Sequence, residues 1–276
     1  MAYNSLSPHI RLPHRIVRGS VRLRKEHSLN YVDRLYKDLY PKFMHGEVSV
    51  DEVQKSVDKV IGLKGKVHVI KNSASDYFGG QDILMSDYTG KISALSIELD
   101  TDSKGLKIPD LVTIVHEFQH VADIFFHPKY AARYQNMVYN ELYTPQYDKI
   151  YGDLFYKQHT YTSRKEKNKI LKKIENKFRN FLKKVPLSDR INYIQDTRYY
   201  LISEQDAYKT QLKYARMLKR KKHEVLKEDL TDVSKSFMFR EKIKMLNNLG
   251  AEVIQKERLK LAKAQKKQAK KGLRSA

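Results

Sequence analysis

One segment near the middle of the chain constrains the fold more than any other. Residues 111–122 contain no proline and no charged residue other than Glu117. Their apolar side chains recur at the spacing of one helix face, at Leu111, Val115, Phe118, Ala122 and Phe125. Pro109 and Asp110 are typical of a helix start. The segment therefore predicts a buried helix over 108–126.

The same segment contains a metal-binding pattern, His-Glu-Phe-Gln-His, at residues 116–120. On a helix His116 and His120 lie one turn apart on the same face, so both imidazoles can bind one Zn²⁺. Glu117 then lies beside the metal, where a carboxylate can take a proton from a metal-bound water. The alternative is a core helix that happens to contain two histidines. Because the chain has no cysteine, only His, Asp and Glu side chains can bind the metal.

Two predicted strands precede this helix. Lys66–Lys71 alternates in polarity and ends before a loop rich in Ser, Asp and Gly, and Ile92–Leu99 has turn residues on both sides. Hydrophobic residues make up 41% of the chain, which permits a sizeable core, whereas 31% charged residues and only 11 glycines favour helices. We therefore expect a helix-rich α+β fold.

The segment Thr113–Ala122, in the order strand, loop, strand, turn and metal helix, resembles the zincin metallopeptidases. The resemblance covers about residues 50–130 and is specific at the pentapeptide. It implies a small twisted β-sheet packed on the HExxH helix and a substrate lying antiparallel to an edge strand. It also implies Zn²⁺-dependent hydrolysis of peptide bonds in a polypeptide substrate.

A catalytic zinc usually has three protein ligands and an open position for water. In zincins with glutamate as the third ligand, that residue lies on a helix well downstream of the pentapeptide. Glu204, within the apolar and aromatic segment 199–208, matches this arrangement, and the alternative is an ordinary solvated helix residue. The commonest form has Asp four residues after the Glu, where this chain has Tyr208. Asp206 or Asp123 can instead orient an imidazole.

The HExxHxxGxxH pattern of other zincins is not met. Asp123 stands in place of the glycine, and the next histidine is His127, which precedes Pro128. His127 and His159 are alternative third ligands, although His127 is also suited to interact with carbonyl groups at a helix end.

A zinc hydrolase also needs a hydrogen-bond donor for the oxyanion that develops during the reaction. Tyr200 and Tyr208 lie one turn on either side of Glu204, and either side chain can reach a metal bound there. Core or interface packing is the alternative role of both.

The formal net charge of +22 comes from three segments. Residues 1–25, 163–184 and 253–276 contain 6, 10 and 9 basic residues against 0, 2 and 1 acidic ones, which leaves the remainder neutral. We interpret them as an extended arm, an amphipathic helix and a frayed or disordered tail. Such segments indicate an anionic partner, either nucleic acid or an acidic assembly surface, although a solvated helix face explains 163–184 equally well.

We predict three regions along the chain: a basic extended arm over 1–25, a zincin-like domain over 26–250 with a helical insertion at about 130–186, and a basic tail over 251–276. Within them we expect further helices at 28–45, 49–62 and 164–184, a long helix capped by Ser188 that runs to about 222, and a last helix that starts at Asp232 or Ser234 and is interrupted near Gly250.

Two functional hypotheses follow. The first is a zinc metallopeptidase with Glu117 as general base. The second is a structural or packaging protein of a nucleoprotein or virion assembly, which binds nucleic acid or partners through its basic tails and retains a degenerate zincin core. Both hypotheses are true of a peptidase that is packaged in a virus particle, such as that of a phage. A third interpretation is a chance HExxH in a nucleic-acid-binding protein. No signal peptide or membrane span is recognisable, so we expect the cytoplasm or a virion.

Overall fold

In the computed structural model, the described residues are 14–62, 67–72, 80–86, 92–100, 105–126, 163–231 and 237–272, with residues 150, 152, 154, 159, 161 and 235. They form the following elements in chain order: α1 (His14–Met44), α2 (Val50–Ile61), β1 (Val67–Asn72), β2 (Gly80–Ser86), β3 (Ile92–Asp100), α3 (Asp110–Phe126), α4 (Arg164–Lys184), α5 (Leu187–Arg220) and α6 (Phe239–Gly272).

The chain divides into two compact units. The first comprises Met1–Ala132 and Asp206–Thr231, and the second comprises Arg133–Gln205 and Asp232–Ala276. The division falls inside α5, which continues without a break through Gln205 and Asp206. The predicted insertion at about 130–186 thus corresponds to only part of the second unit.

The strands of the first unit form a three-stranded mixed sheet in the order β1-β3-β2. β1 pairs with β3 in parallel, whereas β2 pairs with β3 antiparallel. Helix α3 contacts the sheet through β3 and β2, and on another side it packs against α1. These neighbours bury α3, so that Leu111, Val115 and Phe118 are fully inaccessible to solvent.

Local sequence signals define the helix that precedes the sheet. Ser49 caps α2 by accepting a hydrogen bond from the backbone N–H of Glu52, and the Glu52 side chain accepts one from the Ser49 backbone in return. This capping box satisfies two backbone donors at the helix start. The helix ends at Gly62, which has φ 73° and the left-handed conformation that favours glycine. Helix α2 packs between α1 and β1.

In the second unit, α4 and α6 lie side by side. Near the start of both helices, Lys167 of α4 forms an ion pair with Glu241 of α6. Further along both helices, Arg179 Nη1 donates to Glu252 Oε2 at 2.6 Å. Because the two ion pairs occur in the same order along both helices, α4 and α6 run parallel.

The helix-rich class predicted from the sequence is confirmed. The strand predictions at 66–71 and 92–99 match β1 and β3 closely, and the helices predicted at 49–62, 108–126 and 164–184 match α2, α3 and α4. Among the described residues, no helix has both the length and the apolar character that crossing a membrane requires.

The strand β2 was not predicted, since its residues fell in the expected polar loop. Its sequence does not alternate in polarity, because Ile83, Leu84 and Met85 are consecutive. The pairing with β3 is correspondingly irregular, with register shifts between Asp82 and Met85 and between Met85 and Ser86. Such irregularities remove the period of two that identifies a strand.

The prediction of an extended arm over 1–25 is wrong for residues 14–25, because α1 begins at His14. Residues 1–13 lie outside the described part of the chain. The proline and glycine content suggested an extended segment, but Pro13 precedes the helix and Gly19 lies inside it.

Two further boundaries need correction. Ser188 is not a helix cap, because α5 already starts at Leu187 and the carbonyl of Pro186 accepts hydrogen bonds from the next helical turn. The predicted interruption near Gly250 is also wrong, since α6 is continuous to Gly272 and includes most of the predicted tail. The expected start at 232 or 234 lies outside the described residues, and α6 begins at Phe239.

Two glycines with different backbone conformations, one helical and one left-handed, provide a test of the helix assignments. A Cβ at helical Gly250 would lie 3.5 Å from Ile194 Cγ2, which is ordinary van der Waals contact. Gly250→Ala should therefore raise the thermal midpoint, in line with a gain of about 0.5–1 kcal/mol in helix propensity. Gly62→Ala should lower it, because an L-residue at φ 73° costs about 1–2 kcal/mol. A lower midpoint for Gly250→Ala, measured by circular dichroism, would contradict the continuous helix.

Candidate metal centre

Helix α3 places the three polar residues of the pentapeptide in a largely buried position. His116, Glu117 and His120 are 9%, 8% and 7% exposed, respectively. The rings of His116 and His120 face each other edge to face, with centroids 5.1 Å apart. This is the arrangement expected for two imidazoles one helical turn apart, and both can donate a nitrogen to one ion.

Glu204 on α5 completes a group of three potential metal ligands. One nitrogen from each of His116 and His120 and one carboxylate oxygen of Glu204 all lie within 4.8 Å of one another. Ligand atoms around a tetrahedral zinc are about 3.3 Å apart, so small side-chain rotations suffice to close the site around an ion. The structure thus brings together the three residues that the sequence suggested as ligands, and this group can hold a metal.

The protonation state of His120 suits metal binding. Burial lowers the pKa of its imidazole to about 4, because the charged form loses its hydration. At neutral pH the ring is therefore uncharged and keeps a nitrogen lone pair for a metal.

Glu117 projects from the helical turn that holds the two histidines. Its Oε1 lies 3.9 Å from Nε2 of His116. A carboxylate at this distance from a potential ligand nitrogen is close enough to interact with a water molecule bound to the same ion. The geometry is therefore compatible with the role of proton acceptor that the sequence suggested for Glu117.

The orientation of His116 is set by a residue that the sequence analysis missed. Nδ1 of His116 lies 2.7 Å from Oε1 of Gln211. An amide oxygen only accepts hydrogen bonds, so Nδ1 carries the proton and Nε2 keeps its lone pair. The Gln211 amide is in turn fixed by Asp229, whose Oδ1 accepts a hydrogen bond from Gln211 Nε2 at 2.6 Å. Asp229 is 7% exposed, and this burial raises the pKa of its carboxyl group.

A weak sequence signal for Gln211 exists. It lies seven residues after Glu204 and three after Tyr208, so the three side chains share one face of α5. Asp229 gives no such signal, because it follows the helix in a segment of turns. The expectation that Asp206 or Asp123 orients an imidazole stays a prediction, and beside Nδ1 of His116 the orienting residue is Gln211.

Gln119, the fourth residue of the pentapeptide, connects three helices. Its Nε2 donates to Ser28 Oγ of α1 and to Asp123 Oδ1 of α3, each at 3.0 Å. Its Oε1 accepts a hydrogen bond from Thr210 Oγ1 of α5 at 3.0 Å. Gln119 is 1% exposed, so this fully used amide fixes α3 relative to both neighbours.

The other site residues suggested by the sequence differ in how close they lie to the three-residue group. The ring of Tyr208 meets the His116 ring edge to face, with centroids 4.8 Å apart. Tyr200 is half-buried on α5, and Asp206 lies 3.7 Å from the ammonium group of Lys209. His159 is not part of the three-residue group, and His127 lies outside the described residues.

Comparisons with known proteins give no relative for this chain: no family model, no curated protein and no solved structure matches it.

The contact between Thr210 and Gln119 predicts a measurable loss of stability. Thr210→Val keeps the side-chain shape but leaves the buried Gln119 Oε1 without its donor, which should cost about 1–3 kcal/mol. Thr210→Ser retains the hydroxyl and should cost less. The urea midpoints of the two variants and the wild type provide the measurement, and equal midpoints for Val and Ser would show that the hydrogen bond does not hold the helices together.

Proposed function

We propose that the protein is a zinc-dependent metallopeptidase. His116, His120 and Glu204 bind Zn²⁺, and Glu117 is the general base. The observation that carries the proposal is the group of two imidazole nitrogens and one carboxylate oxygen within 4.8 Å of one another. The pentapeptide helix supplies two of these atoms, and a glutamate far along the chain supplies the third.

The chemistry of the ligands favours zinc and a catalytic site. Imidazole nitrogens suit zinc, and two His with one Glu is an established set of ligands for catalytic zinc. Three protein ligands leave a fourth position for water, whereas structural zinc sites have all four positions filled by side chains. The largely buried surroundings add a low dielectric that strengthens charge interactions during a reaction.

The sheet beside the pentapeptide helix supports the proposal. The resemblance implies a small sheet on the metal helix, and the sheet β1-β3-β2 contacts α3 through β3 and β2. β2 is at an edge of this sheet among the described strands, so we propose that a polypeptide substrate lies along it.

The residues have separate roles in the proposed hydrolysis. Zinc held by His116, His120 and Glu204 would supply a polarised water and a Lewis acid at the scissile carbonyl. Glu117 would take a proton from the attacking water and pass it to the leaving nitrogen. Tyr208, whose ring contacts His116, is our candidate hydrogen-bond donor to the oxyanion. Gln211 holds His116 in the tautomer that presents Nε2 to the metal.

The metal content of the purified protein tests the ligand set. We expect about one zinc ion per chain by elemental mass spectrometry, because three ligands of this type form one site. His116→Ala should lose the metal and Glu204→Ala should bind it more weakly. His45→Ala, which removes an exposed histidine, is the matched control and should retain it. A wild-type protein without zinc, even after incubation with the metal, would contradict the proposal.

Hydrolysis of a general protein substrate such as casein then separates an active enzyme from a packaging protein with a degenerate core. Glu117→Gln should retain zinc and the fold but reduce the cleavage rate by about 10²–10⁴, the usual contribution of a general base. Glu47→Gln, at an exposed position, is the control. Cleavage by Glu117→Gln at the wild-type rate would exclude the proposed mechanism.

The hydrogen bond from Gln211 predicts a weaker but specific effect. Gln211→Ala should lower zinc affinity about 10- to 100-fold, because residues that orient metal-bound histidines typically contribute this much. Arg216→Ala changes an exposed side chain on the same helix and should leave the affinity unchanged. Competition with a zinc-binding dye measures both variants, and equal affinities would show that Gln211 does not orient His116.

A further inference from the structure

The basic residues of α4 fall into two groups with different surroundings. The first group faces α6. Lys167 pairs with Glu241, and Arg179 donates hydrogen bonds to both Glu252 and Glu175. The carboxylates of Glu175, Glu241 and Glu252 are therefore engaged by cations on the inner side of the helix pair.

The second group is exposed along the outer side of α4. It consists of Arg164, Lys165, Lys169, Lys172, Lys173, Lys177, Lys183 and Lys184. Lys165, Lys169, Lys172 and Lys173 lie at intervals of four, three and one residues, so they form one stripe along the helix. From Lys165 to Lys173 the stripe is about 12 Å long, at 1.5 Å per residue.

A basic cavity lies beside the last turn of α4. It has a volume of about 330 Å³, and Lys183 lies on its wall. Five further cations line it: Arg179, Arg190, Lys256, Lys260 and Lys263. Its lining includes one acidic residue, Glu252, which Arg179 already binds through two hydrogen bonds. The stripe and the cavity together form one basic surface of the second unit.

We propose that this basic surface binds the phosphate backbone of nucleic acid. The proposal concerns a second function and does not depend on the peptidase site. Four cations within about 12 Å of one helix face suit a polyanion with closely spaced charges, and lysine binds phosphate as a point charge. Lysine-phosphate contacts carry little sequence information, so binding should be independent of sequence.

The position of the apolar residues distinguishes nucleic acid from a lipid surface. A helix that binds membranes places large apolar side chains beside its cations on the face that enters the lipid. In α4 the large apolar side chains Ile174, Phe178, Phe181 and Leu182 are buried within the protein instead, and Ile170 and Leu171 are half-buried. At the cavity, Leu259 is exposed, but a single leucine is a weak membrane anchor. The exposed side of α4 therefore offers mainly charge, as a phosphate backbone requires.

The test compares two variants of the full-length chain that lose the same number of charges. The first replaces Lys165, Lys169, Lys172 and Lys173 by Ala. The control replaces four exposed lysines of the first unit by Ala, at Lys55, Lys107, Lys219 and Lys227. Alanine is the best helix former, so both variants should retain their helical circular dichroism.

Binding is measured by fluorescence anisotropy with a labelled DNA duplex of about 25 base pairs and arbitrary sequence, over a range of salt concentrations. The wild type should bind, and the stripe variant should lose at least about tenfold in affinity. The slope of log K against log salt should fall by about 3 to 4, because each lost phosphate contact removes about 0.9. The control should lose less affinity and keep most of the slope.

Several results would overturn the proposal. One is a control variant that loses as much affinity and slope as the stripe variant, which would indicate diffuse attraction to the whole charge. Another is a wild-type protein that does not bind the duplex. Binding to vesicles containing about 30% phosphatidylserine but not to DNA would assign the basic surface to a membrane instead.

Discussion

The hydrogen bonds between α3 and α5 are the contacts on which the candidate centre depends. Thr210 and Gln211 are adjacent in sequence, and they bond Gln119 and His116, respectively. The bond between Thr210 and Gln119 fixes the position of the pentapeptide helix, and the bond between Gln211 and His116 fixes an imidazole within it. Both pairs join residues more than 90 positions apart, at sequence separations of 91 and 95. The site therefore exists only once these two helices have packed, so the same contacts serve folding and geometry.

The sequence predicted those elements whose signals are local. Helix α2 has a capping box and a left-handed glycine, and α3 has an uninterrupted apolar face, so both were placed within two residues. The sequence signals gave wrong predictions at positions where tertiary contacts determine the secondary structure. β2 exists because β3 pairs with it. Gly250 stays helical at a position where a Cβ would lie in van der Waals contact with Ile194 of α5. A propensity rule that treats Gly as an interruption has no information about that neighbour.

In the candidate site, too, residues with local sequence signals were predicted and residues placed by tertiary contacts were missed. The pentapeptide encodes its geometry in five residues, because a helix turn alone brings His116 and His120 together. Glu204 was suggested by a family resemblance and its aromatic surroundings, and the structure places its carboxylate near both imidazoles. Gln211 and Asp229 were missed, since an amide and a distant carboxylate have no pattern until the chain folds. The position of the orienting group thus comes from packing and not from spacing in the sequence.

The electrostatics of the candidate centre bear on the cation that we propose for it. Glu117 and Glu204 are two carboxylates near two imidazoles, and burial keeps His120 uncharged, so that ring supplies no positive charge at neutral pH. Buried carboxylates are stable when a cation or strong donors compensate for lost hydration. The divalent ion that we propose, bound by His116, His120 and Glu204, would add positive charge beside these carboxylates. Metal binding would then be coupled to the stability of the α3–α5 contact.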